Sequence, residues 1–140
     1  MSDAILKFDG EFHWLSNFIN TEGCITTEHI YQSEKAKHQA DRFAILMATT
    51  PGRAKRMGRK VELRDDWDDE MAITVMWDLL WVKFNQPEFK EKLLATGDRE
   101  IVEGNIWHDN RFGNCTCNDC KNIPGQNALG KMIMEIRSMI

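Results

Sequence analysis

No apolar run in the 140 residues approaches the roughly 18 consecutive residues of a membrane-spanning helix. The opening residues, MSDAILKFDGEFHW, lack the basic and apolar regions of a secretory signal. A cytoplasmic protein with no membrane role is therefore expected. Internal repeats, low-complexity tracts and linkers are also missing, which points to one domain over residues 1–140, long enough to bury a core. Positive charge is not in excess: 18 Lys and Arg stand against 22 Asp and Glu, a net charge of −4. That argues against indiscriminate nucleic-acid binding over the whole surface. Familiar catalytic signatures are absent too. His29 in EHIYQ does not form H-E-x-x-H, and PGQNALGK fits neither the dinucleotide fingerprint nor the P-loop.

What is present reads as a mainly helical α+β chain with a few short strands. The first 25 residues alternate short apolar and turn-like pieces. Thr26 and Thr27 are placed to cap a helix running to about residue 39. Further helices are expected over about 41–48, from Pro51 to about Gly58, and from the acidic start at DDE through residues 71–84. The last of these is apolar on nearly every side and reads as a central buried helix. Lys83 is its odd residue, and snorkelling at the helix end is the simplest account of it. Pro87 opens another helix closed near Gly97. REIVEGNIW fits a strand, residues 108–127 a long loop, and Asn127 the cap of a last helix over 128–139.

Several groups have chemical content. Glu28, Gln32 and Lys35 recur at i, i+4 and i+7 and share one helical face where an apolar stripe is expected. A dipole-favoured acid and a surface Lys would explain that face without function. Arg53, Lys55, Arg56, Arg59, Lys60 and Arg64 stand against one acid, Glu62, and read either as a solvated face or as a phosphate-binding edge. Trp67, set among acids beside that run, can stack on a base, whereas Trp77 and Trp81 read as core. Asp98, Glu103 and Asp109 lie near loop–strand junctions, and Glu103 among apolar neighbours needs a partner or a cleft. The start of the last helix at Asn127 offers backbone N–H groups to an anion. Cys115, Cys117 and Cys120 suit zinc as thiolates if one more Cys or His joins them, with His108 near in sequence and Cys24 distant. Reduced thiols without a metal are the rival reading, and disulfides are disfavoured in the cytosol.

Taken together, WLSNF at 14–18, TTEHIYQSEKA at 26–36, GRKVELRDDW at 58–67, MWDLLWVKF at 76–84, LLATGDREIVEGN at 93–105, HDNRFGN at 108–114 and GQNALGKMIMEIR at 125–137 resemble the NADAR (YbiA-like) family. The resemblance spans nearly the whole chain. It implies a single compact, mostly helical domain with small strands. It also implies an N-glycosidase acting on ribosylamino-pyrimidine phosphates of the riboflavin pathway, or removing ADP-ribose from a nucleobase. ADP-ribosylated nucleic acid is accordingly a possible partner. The family's functional positions fall on Glu28, Lys35, Arg59, Trp67, Glu103, Asp109 and Asn127. One departure stands out: where many members carry Trp-Gly, this chain has Phe112-Gly113, which keeps a stacking face and loses the indole N–H donor.

Cleavage of an N-glycosidic bond builds positive charge on the sugar, which a carboxylate can stabilise while orienting water. Glu28 is the expected carboxylate, with Lys35 as its partner and Glu103 or Asp109 supporting the ribose. Arg59 and its basic neighbours, Arg64 included, would hold phosphate, while Trp67 and Phe112 offer ring faces. No cofactor is expected for the chemistry, and zinc at the cysteines would be structural. The competing classes are a non-catalytic module for ADP-ribose or NAD, and a zinc knuckle for nucleic acid.

Overall fold

The structure is a computed structural model that describes residues 3–22 and 25–140, without the side chains of 20–22. Cys24 lies outside the described residues. Six α-helices, one 3-10 helix and four short strands are present among the described residues, so the chain is mainly helical α+β. No described helix is long and apolar enough to cross a membrane. The chain divides into two compact units, Asn17–Lys83 and a second made of Met1–Ser16 with Phe84–Ile140.

The Asn17–Lys83 unit begins with an antiparallel pair, β1 (Asn20–Glu22) and β2 (Ile25–Thr26). Helix α1 (Thr27–Glu34) follows directly. Thr26 is its N-cap: its hydroxyl accepts from the His29 N–H, and the His29 ring returns the contact to the Thr26 backbone. Such a cap contributes about 1 kcal/mol. Helix α1 ends at Glu34, five residues short of the expectation. The chain beyond it pairs with residues 62–64 instead, through Lys37 N–H to Glu62 O and Arg64 N–H to Lys35 O. The guanidinium of Arg42 takes the Glu34 and Ala36 carbonyls that a longer helix would have used internally.

Helices α2 (Gln39–Leu46) and α3 (Pro51–Gly58) pack on α1. Thr50 caps α3, with Pro51 in its first turn. Their shared core is Ala36, Ile45 and Ala54, fully buried, with Ala48, Met57 and Val61 against it. Burying a side chain the size of Ile45 contributes about 1.5–3 kcal/mol. The small residues let the helices approach closely. Helix α4 (Asp69–Phe84) is not buried on every side. Ala72, Met76, Leu80 and Lys83 form its buried stripe within this unit, at the spacing of one helical face. Trp77 and Trp81 are half-buried and stack on each other at 6.4 Å rather than filling a core. Lys83 does not snorkel: it is 2% exposed, and burial pushes its amine down to about 7.

In the second unit the 3-10 helix Gly10–Leu15 brings Trp14 edge-on to Phe84, which meets Phe89 the same way. Phe89 and Leu93 are the buried side of α5 (Pro87–Ala95). Ile5 pairs with Ile101 as an isolated parallel bridge. The strand expected over REIVEGNIW is reduced to β3 (Gly104–Asn105), parallel to β4 (Asn114–Cys115). Residues 106–113 make the connection, shorter than the roughly dozen residues such a crossover ordinarily takes. Side chains must therefore hold that loop. Helix α6 (Ala128–Met139) closes the chain and buries Leu129, Met132, Ile133 and Ile136.

Candidate active site

Helix α1 is unusual in what it buries. Glu28 is 7% exposed, Gln32 4% and His29 fully buried. His29 is structural: its Nδ1 faces the Thr26 hydroxyl at 2.8 Å and its Nε2 the Ala48 carbonyl at 2.9 Å. The carbonyl can only accept, so the ring proton belongs on Nε2. Glu28 and Gln32, one turn apart, join directly: the Gln32 amide donates to Glu28 Oε1 at 2.7 Å. That donation leaves Gln32 Oε1 buried with no hydrogen-bond partner among the described residues. An orphaned buried acceptor is costly, about 1–3 kcal/mol, unless something else supplies a donor.

Lys35 follows the last turn of α1. Its amine is pulled below the usual lysine range by burial, against the attraction of Glu28 and with added repulsion from Arg59 and Lys55. Gly58, at the end of α3, sits against this face. A Cβ there would collide with Gln32 Oε1 and crowd Gln32 Cδ at 2.8 Å and Lys35 Cε at 2.9 Å. Only glycine lets α3 approach the Glu28–Gln32–Lys35 face this closely. Elsewhere on α3 and the residues after it, Arg53, Arg56, Met57, Arg59 and Lys60 line a cavity of about 450 Å³, to which Glu28, Gln32 and Lys35 do not contribute. Arg59 is exposed there, with its backbone capping α3.

The remaining positions of this unit are placed differently. The Arg64 guanidinium makes two bonds to Asp66, at 2.6 and 2.9 Å, and one to the Glu34 carbonyl at 3.3 Å. The Asp66 partnership raises its proton affinity further. Trp67 is half-buried and meets Tyr31 of α1 edge-on at 5.7 Å. Asn17 was not singled out by sequence reasoning, although WLSNF contains it. Its carbonyl accepts the Glu28 N–H at 3.0 Å. Its side-chain amide reaches only the Met76 sulfur, leaving Asn17 Oδ1 buried without a partner among the described residues. Gln32 belongs to the expected polar face and Gly58 to an expected helix end, but the contact between them comes from packing.

In the other unit, the loop after β3 is assembled by side-chain-to-backbone bonds. Asn105 is its hub: Oδ1 accepts from the Trp107 and Asp109 N–H groups, and Nδ2 donates to the Asp109 carbonyl and to Glu103 Oε2 at 3.2 Å. Asp109 Oδ1 accepts from Arg111 and Phe112 N–H at 3.0 and 2.9 Å, turning the chain sharply. Phe112 is half-buried beneath the Arg111 guanidinium, 5.2 Å from the ring centre. Gly113 lies directly on Glu103, where a Cβ would collide with the carboxylate. Asp98 and Trp107 are exposed.

Asn127 departs from the expectation. It occupies the N-cap position of α6 in the left-handed region, φ 50°, without a capping bond. Its amide instead accepts from Glu103 N–H and donates to the Ile101 carbonyl, both at 2.9 Å. The N–H groups of Asn127, Ala128 and Leu129 are bonded to the carbonyls of Gly113, Arg111 and Phe112. The helix start is therefore no anion cradle: it grips the 111–113 turn.

The three cysteines are free thiols that converge with His108. One ligand atom from each of the four lies within 4.8 Å of all the others, a donor set and spacing able to hold a metal ion.

A family model described as the NADAR domain matches residues 6–140. The chain is 32% identical over 152 residues to the N-glycosidase YbiA of Shigella boydii serotype 4 (strain Sb227), covering 100% of this chain and 91% of that protein. It is 34% identical over 121 residues to the N-glycosidase Npun_R5314 of Nostoc punctiforme (strain ATCC 29133 / PCC 73102), covering 82% and 73%. The NMR structure of the E. coli protein YbiA is similar with a TM-score of 0.77 at 32% identity, over 99% of this chain and 86% of that one.

Proposed function

The chain belongs to the NADAR family and is an N-glycosidase, and we propose that it cleaves the bond between a base-like amine and a ribose carrying phosphate. The substrate is a ribosylamino-pyrimidine phosphate of the riboflavin pathway, or ADP-ribose attached to a nucleobase, free or in nucleic acid. The observation that carries this reading is the buried Glu28 carboxylate, oriented by Gln32 at 2.7 Å, with Lys35 next along the same face.

As the glycosidic bond breaks, positive charge grows at the anomeric carbon. Glu28, held in a low-dielectric pocket, stabilises that charge and orients water toward the carbon. The departing base takes a proton, and Lys35, its amine made more acidic by burial, is the donor we assign. Gln32 fixes the carboxylate through its amide, and the Asn17 carbonyl accepts the Glu28 N–H. Arg53, Arg56, Arg59 and Lys60 hold the phosphate, and Trp67 offers a ring face to the base. Arg64, tied to Asp66 and Glu34, supports this wall from behind. Within the other unit, Asn105 holds the Glu103 carboxylate and Asn127 accepts the Glu103 N–H. In this reading a metal at the Cys/His cluster is structural, and the protein works in the cytoplasm.

The test is mass-spectrometric turnover of ribosylamino-pyrimidine phosphates and of ADP-ribosyl-guanine DNA, side by side. Release of free base with matching ribose phosphate or ADP-ribose from either is expected. Tight binding without cleavage of either on prolonged incubation would replace this reading with that of an ADP-ribose or NAD recognition module.

A further inference from the structure

We propose that His108, Cys115, Cys117 and Cys120 form a closed four-ligand zinc site that locks the 108–120 loop and thereby sets the position of Asp109. Nothing in this inference depends on the glycosidase reading. Its basis is the fit of the cluster to one ion. Zinc sits about 2.3 Å from sulfur and about 2.0–2.1 Å from nitrogen, so a tetrahedral site separates sulfur from nitrogen by ~3.5 Å and sulfur from sulfur by ~3.8 Å. His108 Nδ1 lies 3.3 Å from Cys120 Sγ and 3.5 Å from Cys117 Sγ, and all four donor atoms fall within 4.8 Å of one another.

Spacing in the chain left the fourth ligand open. The fold assigns it to His108, through a backbone conformation that needs a reason. His108 has φ 69°, one of two non-glycine residues in the left-handed region among those described. Such a conformation is uncommon outside glycine. Here it turns the ring toward Cys117 and Cys120 while the His108 N–H donates to Cys115 Sγ at 3.3 Å. A backbone N–H directed at sulfur is the contact that stabilises a thiolate ligand. Cys115 and Cys120 are buried, Cys117 is half-buried and His108 is exposed, so two of the four ligands are held away from water. Three thiolates and one imidazole leave no open coordination position, which is the signature of a structural site. The softness of three thiolates with one imidazole favours zinc over hard, oxygen-seeking cations.

The consequence is mechanical. His108 immediately precedes Asp109, whose carboxylate holds the turn at 111–112, and Cys115 ends β4 two residues after Gly113, which lies on the Glu103 carboxylate. Metal at the cluster clamps both ends of that turn.

The test uses full-length protein purified without a polyhistidine tag. Elemental analysis should find one zinc per chain, and replacement by Co²⁺ should give the intense visible bands and thiolate charge-transfer of a tetrahedral site. His108→Ala and Cys117→Ser, both at positions not fully buried, should each weaken metal retention against a chelator roughly a hundredfold. Chelation of the wild type should speed amide exchange at residues 108–120 and leave α1 unchanged. Metal-free protein that develops no cobalt bands would overturn the site. Wild-type retention in His108→Ala would overturn the fourth ligand, and unchanged exchange on chelation would overturn the clamp.

Discussion

The α1 face and the 106–127 loop are both polar segments that keep their polar groups partly or wholly out of water, yet they treat those groups in opposite ways. In the loop, the amides of Asn105, Asn110, Asn114 and Asn127 are committed to backbone groups. Without regular structure, the chain has no other way to satisfy its own N–H and C=O groups. On α1 the backbone is already satisfied by the helix, so the side chains are released for other work. There Gln32 Oε1, and beside the helix start Asn17 Oδ1, stay buried without partners among the described residues. Polar groups in the loop build the protein, whereas on α1 the Glu28–Gln32 pair bonds side chain to side chain. Substitutions on the α1 side should therefore change activity more than stability, and those in the loop should do the reverse.

The strongest test of that contrast is Glu28→Gln. Turnover should fall by about 10³-fold or more, the scale of a positioned acid–base or electrostatic group, with the melting temperature nearly unchanged. Near-normal release of base would remove Glu28 from the chemistry and dissolve the distinction.

Lys83 sharpens it through pH. Its folded pKa of about 7 lies below the unfolded value of 10.5, so the folded state binds fewer protons across that window. Stability contributed by this group therefore rises with pH from about 7 to about 10.5, and below pH 7 the full cost of burying the charge is in place. Relative to Lys83→Met, the wild type should gain about 3 kcal/mol between pH 6 and pH 9 in chemical denaturation. A flat difference would mean the amine is not desolvated as its burial implies.

Asn127→Ala represents the loop side. It removes the bonds to Glu103 N–H and the Ile101 carbonyl, and should cost about 2 kcal/mol of stability by urea titration. Finally, Gly58→Ala should lower kcat/KM by about tenfold, roughly 1.4 kcal/mol, while denaturation midpoints shift less. The added methyl collides with Gln32 and crowds Lys35. Loss of folding instead would show that α3 cannot tolerate any change in its approach to α1.

Much of this was legible from the residues in order. Threonine before an acid, proline at a first turn and glycine after a helix are local signals, and they placed α1, α3 and α5 near their observed positions, as Asn127 did the start of α6. The i, i+4, i+7 recurrence of Glu28, Gln32 and Lys35 exposed the polar face, because helical periodicity is local too. What was misread involved partners distant in sequence. Helix α1 stops at Glu34 because residues 62–64 offer backbone groups to pair with. The start of α6 is closed to anions because Arg111, Phe112 and Gly113 occupy its N–H groups.

By itself the sequence determined the helical character of the chain, the residue types available for glycoside cleavage and the close spacing of three thiols. Only tertiary structure decided that Gln32 turns its amide to Glu28, that Gly58 must be small and that Lys83 is buried. It also decided that His108 faces the cysteines. Periodicity and capping act over a few residues, whereas burial, close approach and ligand convergence depend on which remote segments the fold brings together.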